Sequence, residues 1–404
     1  MENLQELLIR DGDEHHCFFD DRGLHTHLPQ RLIAACDMGG SPQLLEIYAL
    51  EARDQRPLGL SGPPLDDGRW LSRLGDRRHG AAKTLEDYLM APDANFNGAS
   101  MLGLLFGGAM HPLIHIGCGV ELGLDSLVAQ GPAMCAGTED DFSFVVADHW
   151  STAMPKVPDV PTQGVTLFSI LRQMYESPDL LSLLPSATRA HARMRCAACM
   201  YSQWSIDTTL DGAAFDAEIA KRVEKAYWQA MLLDFYLMHT LTSAIVLPRL
   251  LRALPQKLHK VQLLQGYART CALWVIARGR PRVNPSLLMS YPNLPVPAGL
   301  KTSTATDPWA QLITNALQDF DSHVVKTVRA LYSGHIHFGK VAAGQVVGAF
   351  DESGRETHPG LSKLDGTAWI RAAGITCSAL GWMGFGEEAG RWDRSVLGLD
   401  AAWE

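Results

Sequence analysis

Residues 213 to 251 constrain the fold more than any other part of the chain. AAFDAEIAKRVEKAYWQAMLLDFYLMHTLTSAIVLPRLL keeps an apolar period of about 3.6 residues and becomes almost wholly apolar toward Pro248. The spacing predicts one long helix whose second half is buried all round, which only a body of further helices can achieve. Such helices are readable at 256 to 277, 307 to 333 and 367 to 384. Around Leu28 to Leu50 two more are broken at Gly39 and Gly40, with Ser41 placed as an N-cap and Pro42 at the first helical position. Residues 164 to 184 repeat the device, Ser177 and Pro178 restarting the helix. SGPPLDDG (61 to 68), DRRHG (76 to 80) and the proline-rich run 278 to 299 read as loops. Alternation of period two is scarce, apart from room for one small β-hairpin near GQVVGAFDESG, 344 to 354. The expectation is an all-α fold, a single large helical domain over 1 to 404 with long proline-rich loops. No repeat, low-complexity tract or composition step marks a boundary.

Composition narrows the function. The 44 acidic residues outnumber the 35 basic ones for a net charge of −9, which excludes a phosphate-backbone partner, because nucleic-acid binders need a basic face. The 8 cysteines are too thinly spread in a chain of 404 residues to be a disulfide framework and read as reduced thiols. The start, MENLQELLIRDGDEHH, has acidic residues where a secretion signal has a basic segment and an apolar run. A cytoplasmic protein is expected. Ala94 to Val120 has no charged side chain until Glu121 and is long enough to span a bilayer, but Asn95, Asn97, Ser100, His111 and His115 suit a buried helix beside a polar cavity better than lipid. No membrane partner is expected.

Familiar cofactor and nucleophile signatures are missing. Gly117-Cys118-Gly119-Val120-Glu121-Leu122-Gly123 has the wrong spacing for a dinucleotide fingerprint and lies in a helical pattern; P-loop, nucleophile-elbow and HExxH motifs do not occur. Cys196 and Cys199 lack the second pair a zinc site needs and read as core thiols. His335 and His337 on a loop or strand are weak chelators.

The histidines are the informative residues, 15 in all, several in apolar settings where an imidazole must be hydrogen-bonded or metal-bound. His111 and His115 in AMHPLIHIGCG are four apart, so both rings leave one helix face about a turn apart, a spacing suited to one metal and equally to two satisfied core histidines. Pro112 is compatible if it lies in the first turn. His239 sits in the most apolar part of the long helix. His323 and Lys326 are three apart and share a face, with Asp321 and Arg329 placed as supporting partners. His25 and His27 precede a helix, where they are either exposed loop residues or the closure of a site.

AMHPLIHIGCGVELGLDSL (109 to 127), LDFYLMHTLTSAIVLPRLL (233 to 251) and DSHVVKTVRAL (321 to 331) resemble, in this order, the motifs of the questin oxidase-like family, over roughly residues 20 to 385. Fungal members act in aromatic polyketide pathways, opening an anthraquinone ring by an oxygen-inserting, formally Baeyer–Villiger reaction; a ring-cleaving member is a non-haem iron dioxygenase with four histidines and a carboxylated lysine on the metal. The resemblance implies an oxidoreductase of the oxygenase kind, taking an aromatic small molecule and O2. It further implies Fe(II), with Lys326 as the lysine that takes up CO2 and His27, His111, His115, His239 and His323 as five candidates for four ligand positions. This chain departs from the family at His25-Thr26-His27, followed by Gln30-Arg31, where members have a longer histidine-rich run; that points to a different substrate.

A free lysine is cationic near neutral pH, with a pKa of about 10, and repels a metal, whereas its CO2 adduct is an anionic oxygen donor. Four imidazoles and that oxygen leave one octahedral position open. Phe106, Trp150, Tyr201, Trp204, Phe235 and Tyr236 are either a stacking surface for a flat substrate or simply core. Two rival readings stand beside this one: a metal-free oxidase using NADPH as external reductant, and a non-catalytic helical binder of a hydrophobic small molecule.

Overall fold

The computed structural model describes residues 2–18, 24–57, 99–137, 166–177, 206–231, 237–281, 283–297 and 307–392, with positions 90, 95–96, 142, 146, 180, 200–201 and 203–204 between them. The described chain is mostly helical, as expected. Among the described residues the only strands are β1 (Asn95–Phe96) and β2 (Ala99–Ser100), paired antiparallel with Asn95 opposite Ser100. The hairpin expected near 344 to 354 is a turn closed by a single bridge, Phe350 opposite Glu356. Asp351 forms its tip, its Oδ1 accepting from the Ser353 and Arg355 backbone amides at 2.9 and 3.0 Å.

The chain forms two compact units, Met1–Val146 with Val246–Lys260, and Ala147–Ile245 with Val261–Glu404. Neither is one continuous stretch, so no linker or composition step separates them in the sequence.

The first unit holds α1 (Glu2–Glu14), α2 (Leu28–Asp37), α3 (Leu44–Glu51), α4 (Met101–Leu104), α5 (His111–Leu122), α6 (Asp125–Gly137) and α10 (Leu247–Ala253). The α2–α3 pair matches the expected helical hairpin, with Ser41–Gln43 as a 3-10 turn that contains Pro42. Helix α5 begins with Pro112 in its first turn and ends at Gly123 in the left-handed conformation, φ 66°, where a residue without Cβ carries no steric penalty. It is buried from His111 to Gly119 and folds back against α6. The approach is close enough that a Cβ at Gly131 of α6 would collide with Ile116.

The second unit holds α7 (Leu167–Glu176), α8 (Gly212–Met231), α9 (Met238–Ala244), α11 (Lys257–Ala277, from Val261 onward), α12 (Pro285–Ser290), α13 (Pro308–Gln318), α14 (Ser322–Phe338) and α15 (Ala368–Leu380). Side-chain caps start four of them: Thr166 accepts from the Ser169 amide, Asn284 from Leu287, Asp307 from Trp309 and Asp321 from His323. Helix α14 packs on α9, α13 and α15, around a core that includes Trp228 and Trp369 with ring centroids 4.9 Å apart.

Three sequence expectations are corrected here. The single helix over 213 to 251 is interrupted: α9 (Met238–Ala244) gives way to a turn at 245–246, after which α10 begins with Pro248 in its first turn, while 232–236 lie outside the described residues. Thr240, Thr242 and Ser243 turn their hydroxyls onto the carbonyls of Leu237, His239 and, for Ser243, also Thr240. Such local bonds bend helices, and Pro248 cannot continue one. The helix over 307 to 333 is divided at Asp319–Asp321, where Asp319 Oδ1 accepts from the Asp321 amide at 2.8 Å. The run 278 to 299 contains α12. The predicted restart at Pro178 and the Cys196–Cys199 pair lie outside the described residues. No described helix is long and apolar enough to cross a membrane.

Candidate functional site

The first unit gathers histidines at the start of α5. Phe18 and His25 form an antiparallel bridge, the Thr26 amide donating to the Cys17 carbonyl at 2.9 Å, and this turns His25 inward. The His25 ring packs on Gly108, where a Cβ would collide with it, and hydrogen-bonds the Met134 backbone. Burial pushes its pKa down to about 4. His111, the first residue of α5, lies 5.5 Å from the His25 ring and 4.8 Å from the His27 ring, centroid to centroid. The backbone entering α5 is left-handed at three successive residues, Gly108 (φ 52°), Ala109 (φ 57°) and Met110 (φ 62°). For Ala and Met this conformation is strained, on the order of 1 kcal/mol or more each, and it is held by the packing around it.

His115, one turn into α5, is wholly buried. Its Nε2 meets Gln130 Oε1 at 2.9 Å, while Nδ1 is buried and has no hydrogen-bond partner among the described residues. In that arrangement Nε2 carries the proton and Nδ1 the lone pair. Burial lowers its pKa to about 4; the Gln130 bond works the other way, and the nearby His25 adds to the lowering. His25 and His115 are therefore neutral at pH 7, the form in which imidazole binds metals.

The second unit gathers His239 and His323, buried rings 5.4 Å apart, from α9 and α14. Asp321 holds His323 twice, its Oδ1 accepting from the backbone amide at 2.9 Å and from Nδ1 at 2.6 Å. A carboxylate on Nδ1 fixes the ring and directs Nε2 and its lone pair away, the usual support of a metal-binding histidine. Lys326, one turn further, is buried on the same helix. Arg329 is buried as well. His335 and His337 lie in the last turn of α14, a correction to the loop or strand expected for them, with the His335 ring 5.2 Å from Trp309.

Of the six candidate residues, the structure thus pairs His27 with His111 and His239 with His323, and places His115 and Lys326 one turn from a paired ring. Among the described residues no group of three or more His, Cys, Asp or Glu side chains has metal-holding geometry. Within each unit the donor chemistry is of a kind that fits a metal such as Fe(II): in the first, a buried His115 Nδ1 with no hydrogen-bond partner among the described residues; in the second, a carboxylate-held ring at His323. Sequence reading missed Gln130, which no motif marks, and left His25 out of the ligand set although its ring stands beside His111. Phe106, Tyr201 and Trp204 are fully buried core; Trp150, Phe235 and Tyr236 lie outside the described residues.

The described residues are mostly helical, and each unit brings two imidazoles together, His27 with His111 in the first and His239 with His323 in the second. The questin oxidase-like family model matches residues 24–331. A questin oxidase from Aspergillus terreus is 25% identical over 419 residues, covering 92% of this chain and 86% of the relative. Baeyer-Villiger oxidases from Pestalotiopsis fici and Emericella nidulans are 26% and 24% identical and cover 92% and 98% of the chain, and 86% and 91% of their own lengths. The chain belongs to the questin oxidase-like family and is an oxidoreductase of the oxygenase kind.

Proposed function

We propose that the chain is a non-haem iron-dependent oxygenase that cleaves, or inserts oxygen into, a ring of an aromatic polyketide or quinone. The observation that carries the proposal is His323, buried against His239 with Asp321 on its Nδ1. Similarity to a questin oxidase and a Baeyer-Villiger oxidase over 92% of the chain supports the substrate class. The family motifs imply His239, His323 and Lys326 as candidate metal ligands in the second unit, with the lysine amine joined to CO2, losing one proton, as a carbamate, and His27, His111 and His115 as the first unit's own candidates. Bound Fe(II) would supply the reduction of O2 that carbon chemistry alone makes slow.

The chain's own contribution is positioning and exclusion. Asp321 and Gln130 fix the proton on one nitrogen of His323 and His115 and leave the other basic. Burial keeps His25 and His115 from being protonated above about pH 4, so neither carries positive charge that would repel a cation. The apolar faces of α5 and α9 exclude water from the imidazoles.

Oxygen uptake with a hydroxylated anthraquinone tests the proposal on protein reconstituted anaerobically with Fe(II). Uptake that needs iron and proceeds without NADPH is expected. Uptake that needs NADPH and survives iron removal would contradict it and favour the metal-free reading.

A further inference from the structure

Other buried side-chain amides keep at least one end met, or lack only an oxygen's partner among the described residues, as Gln311 does. Gln130 meets His115, and Gln229 Nε2 donates to the Tyr201 hydroxyl at 2.5 Å. Gln30 is the exception: it is 2% exposed, and among the described residues neither its Oε1 nor its Nε2 has a hydrogen-bond partner. An amide shut away from water with both ends unmet is costly, and native structures retain few of them without a reason. Its neighbour Arg31 has none of this character, since its guanidinium donates to Glu51 at 2.6 Å.

Position supplies the reason. Gln30 lies in the first turn of α2, three residues after His27, so the two side chains leave the same side of the helix. His27 stands with its ring 4.8 Å from His111, and α2 packs against α5. The unmet amide is therefore on the side of α2 that carries His27 to the histidine cluster. An amide offers two donors and one acceptor oxygen on adjacent atoms, which matches a ligand with a hydroxyl beside a carbonyl and does not match a hydrocarbon face.

We propose that the Gln30 amide is a substrate-binding group of the first unit's histidine cluster, hydrogen-bonding a ring hydroxyl or carbonyl oxygen of the aromatic substrate. This rests on the substrate class proposed above. Gln30 thereby sets specificity: a ligand that lacks the oxygen leaves the amide unmet, and such mismatches discriminate more strongly than lost apolar contact.

The test is a titration of 1,8-dihydroxyanthraquinone, followed by its visible absorption, into the full chain and its Gln30→Leu and Gln30→Met variants, with iron content and thermal stability measured on the same samples. The proposal expects both variants to bind about tenfold more weakly, with iron unchanged and a midpoint temperature equal to or above that of the parent, because an unmet buried amide has been replaced by an apolar group. Variants that bind within about twofold of the parent overturn the role of Gln30 alone. A parent chain that does not bind the anthraquinone at all overturns the substrate class and this proposal with it.

Discussion

The two histidine clusters are built on opposite plans. In the second unit, His323 sits in the first turn of α14, a regular helix, and one carboxylate, Asp321, both caps that helix and holds the ring. In the first unit, His111 follows three left-handed residues, His25 is wedged on Gly108, and the support for His115 is an uncharged amide. One cluster is positioned by local hydrogen bonds at low conformational cost; the other is positioned by tertiary packing that holds a strained backbone. Rings held by packing should respond strongly to backbone and pH changes, and the ring held by a carboxylate should respond to charge.

The largest effect expected is that of acid on the first cluster. His25 and His115 have folded pKa values of about 4, below the ordinary value of 6.5, so the unfolded chain binds more protons between those limits. Stability is fully present above about pH 6.5 and falls as pH drops toward 4, by on the order of 3 kcal/mol for each group. Denaturant titrations at pH 7, 5.5 and 4.5 check this; a pH-independent midpoint would mean these imidazoles are not buried neutral.

Next is Gly108→Ala, which forces a Cβ into His25 and a left-handed φ onto alanine. A loss of about 2 kcal/mol or more is expected in the thermal or denaturant midpoint. Ala109→Gly should have the opposite sign, a gain of up to about 1 kcal/mol, because glycine accepts φ 57° freely. If both changes are neutral, the packing account of the first cluster is wrong.

The smallest change in stability, with a large change in function, is expected at Asp321. Asparagine caps helices about as well as aspartate, so Asp321→Asn should shift stability by less than about 0.5 kcal/mol. It removes the charge from His323 Nδ1 and should weaken metal binding about tenfold or more. Asp321→Ala loses the cap too and should cost about 1 kcal/mol of stability besides. Iron titration beside thermal melts separates the two effects, and equal iron affinity in all three proteins would remove Asp321 from the account.

The sequence made these plans legible to different degrees. The His323–Lys326 spacing and the nearby Asp321 could be read directly, because residues three or four apart on a helix share a face whatever the tertiary fold. Pro112 likewise announced the start of α5. The roles of Gln30 and Gln130 could not be read, and His25 stayed open between exposed loop and site closure, since these residues reach their places through a bridge to Phe18, the packing of α2 on α5 and the α5–α6 turn. The long helix was misread because apolar periodicity continues across the break: Thr240, Thr242 and Ser243 keep the period while their hydroxyls take up the backbone carbonyls.

The central claim is that these histidines and Lys326 bind iron. Elemental analysis by ICP-MS, on untagged protein and on a Lys326→Ala variant prepared identically, tests it most directly. The account predicts about one iron per chain in the parent and none in the folded variant. Iron retained by the variant, or absent from both after anaerobic reconstitution with Fe(II), would contradict it.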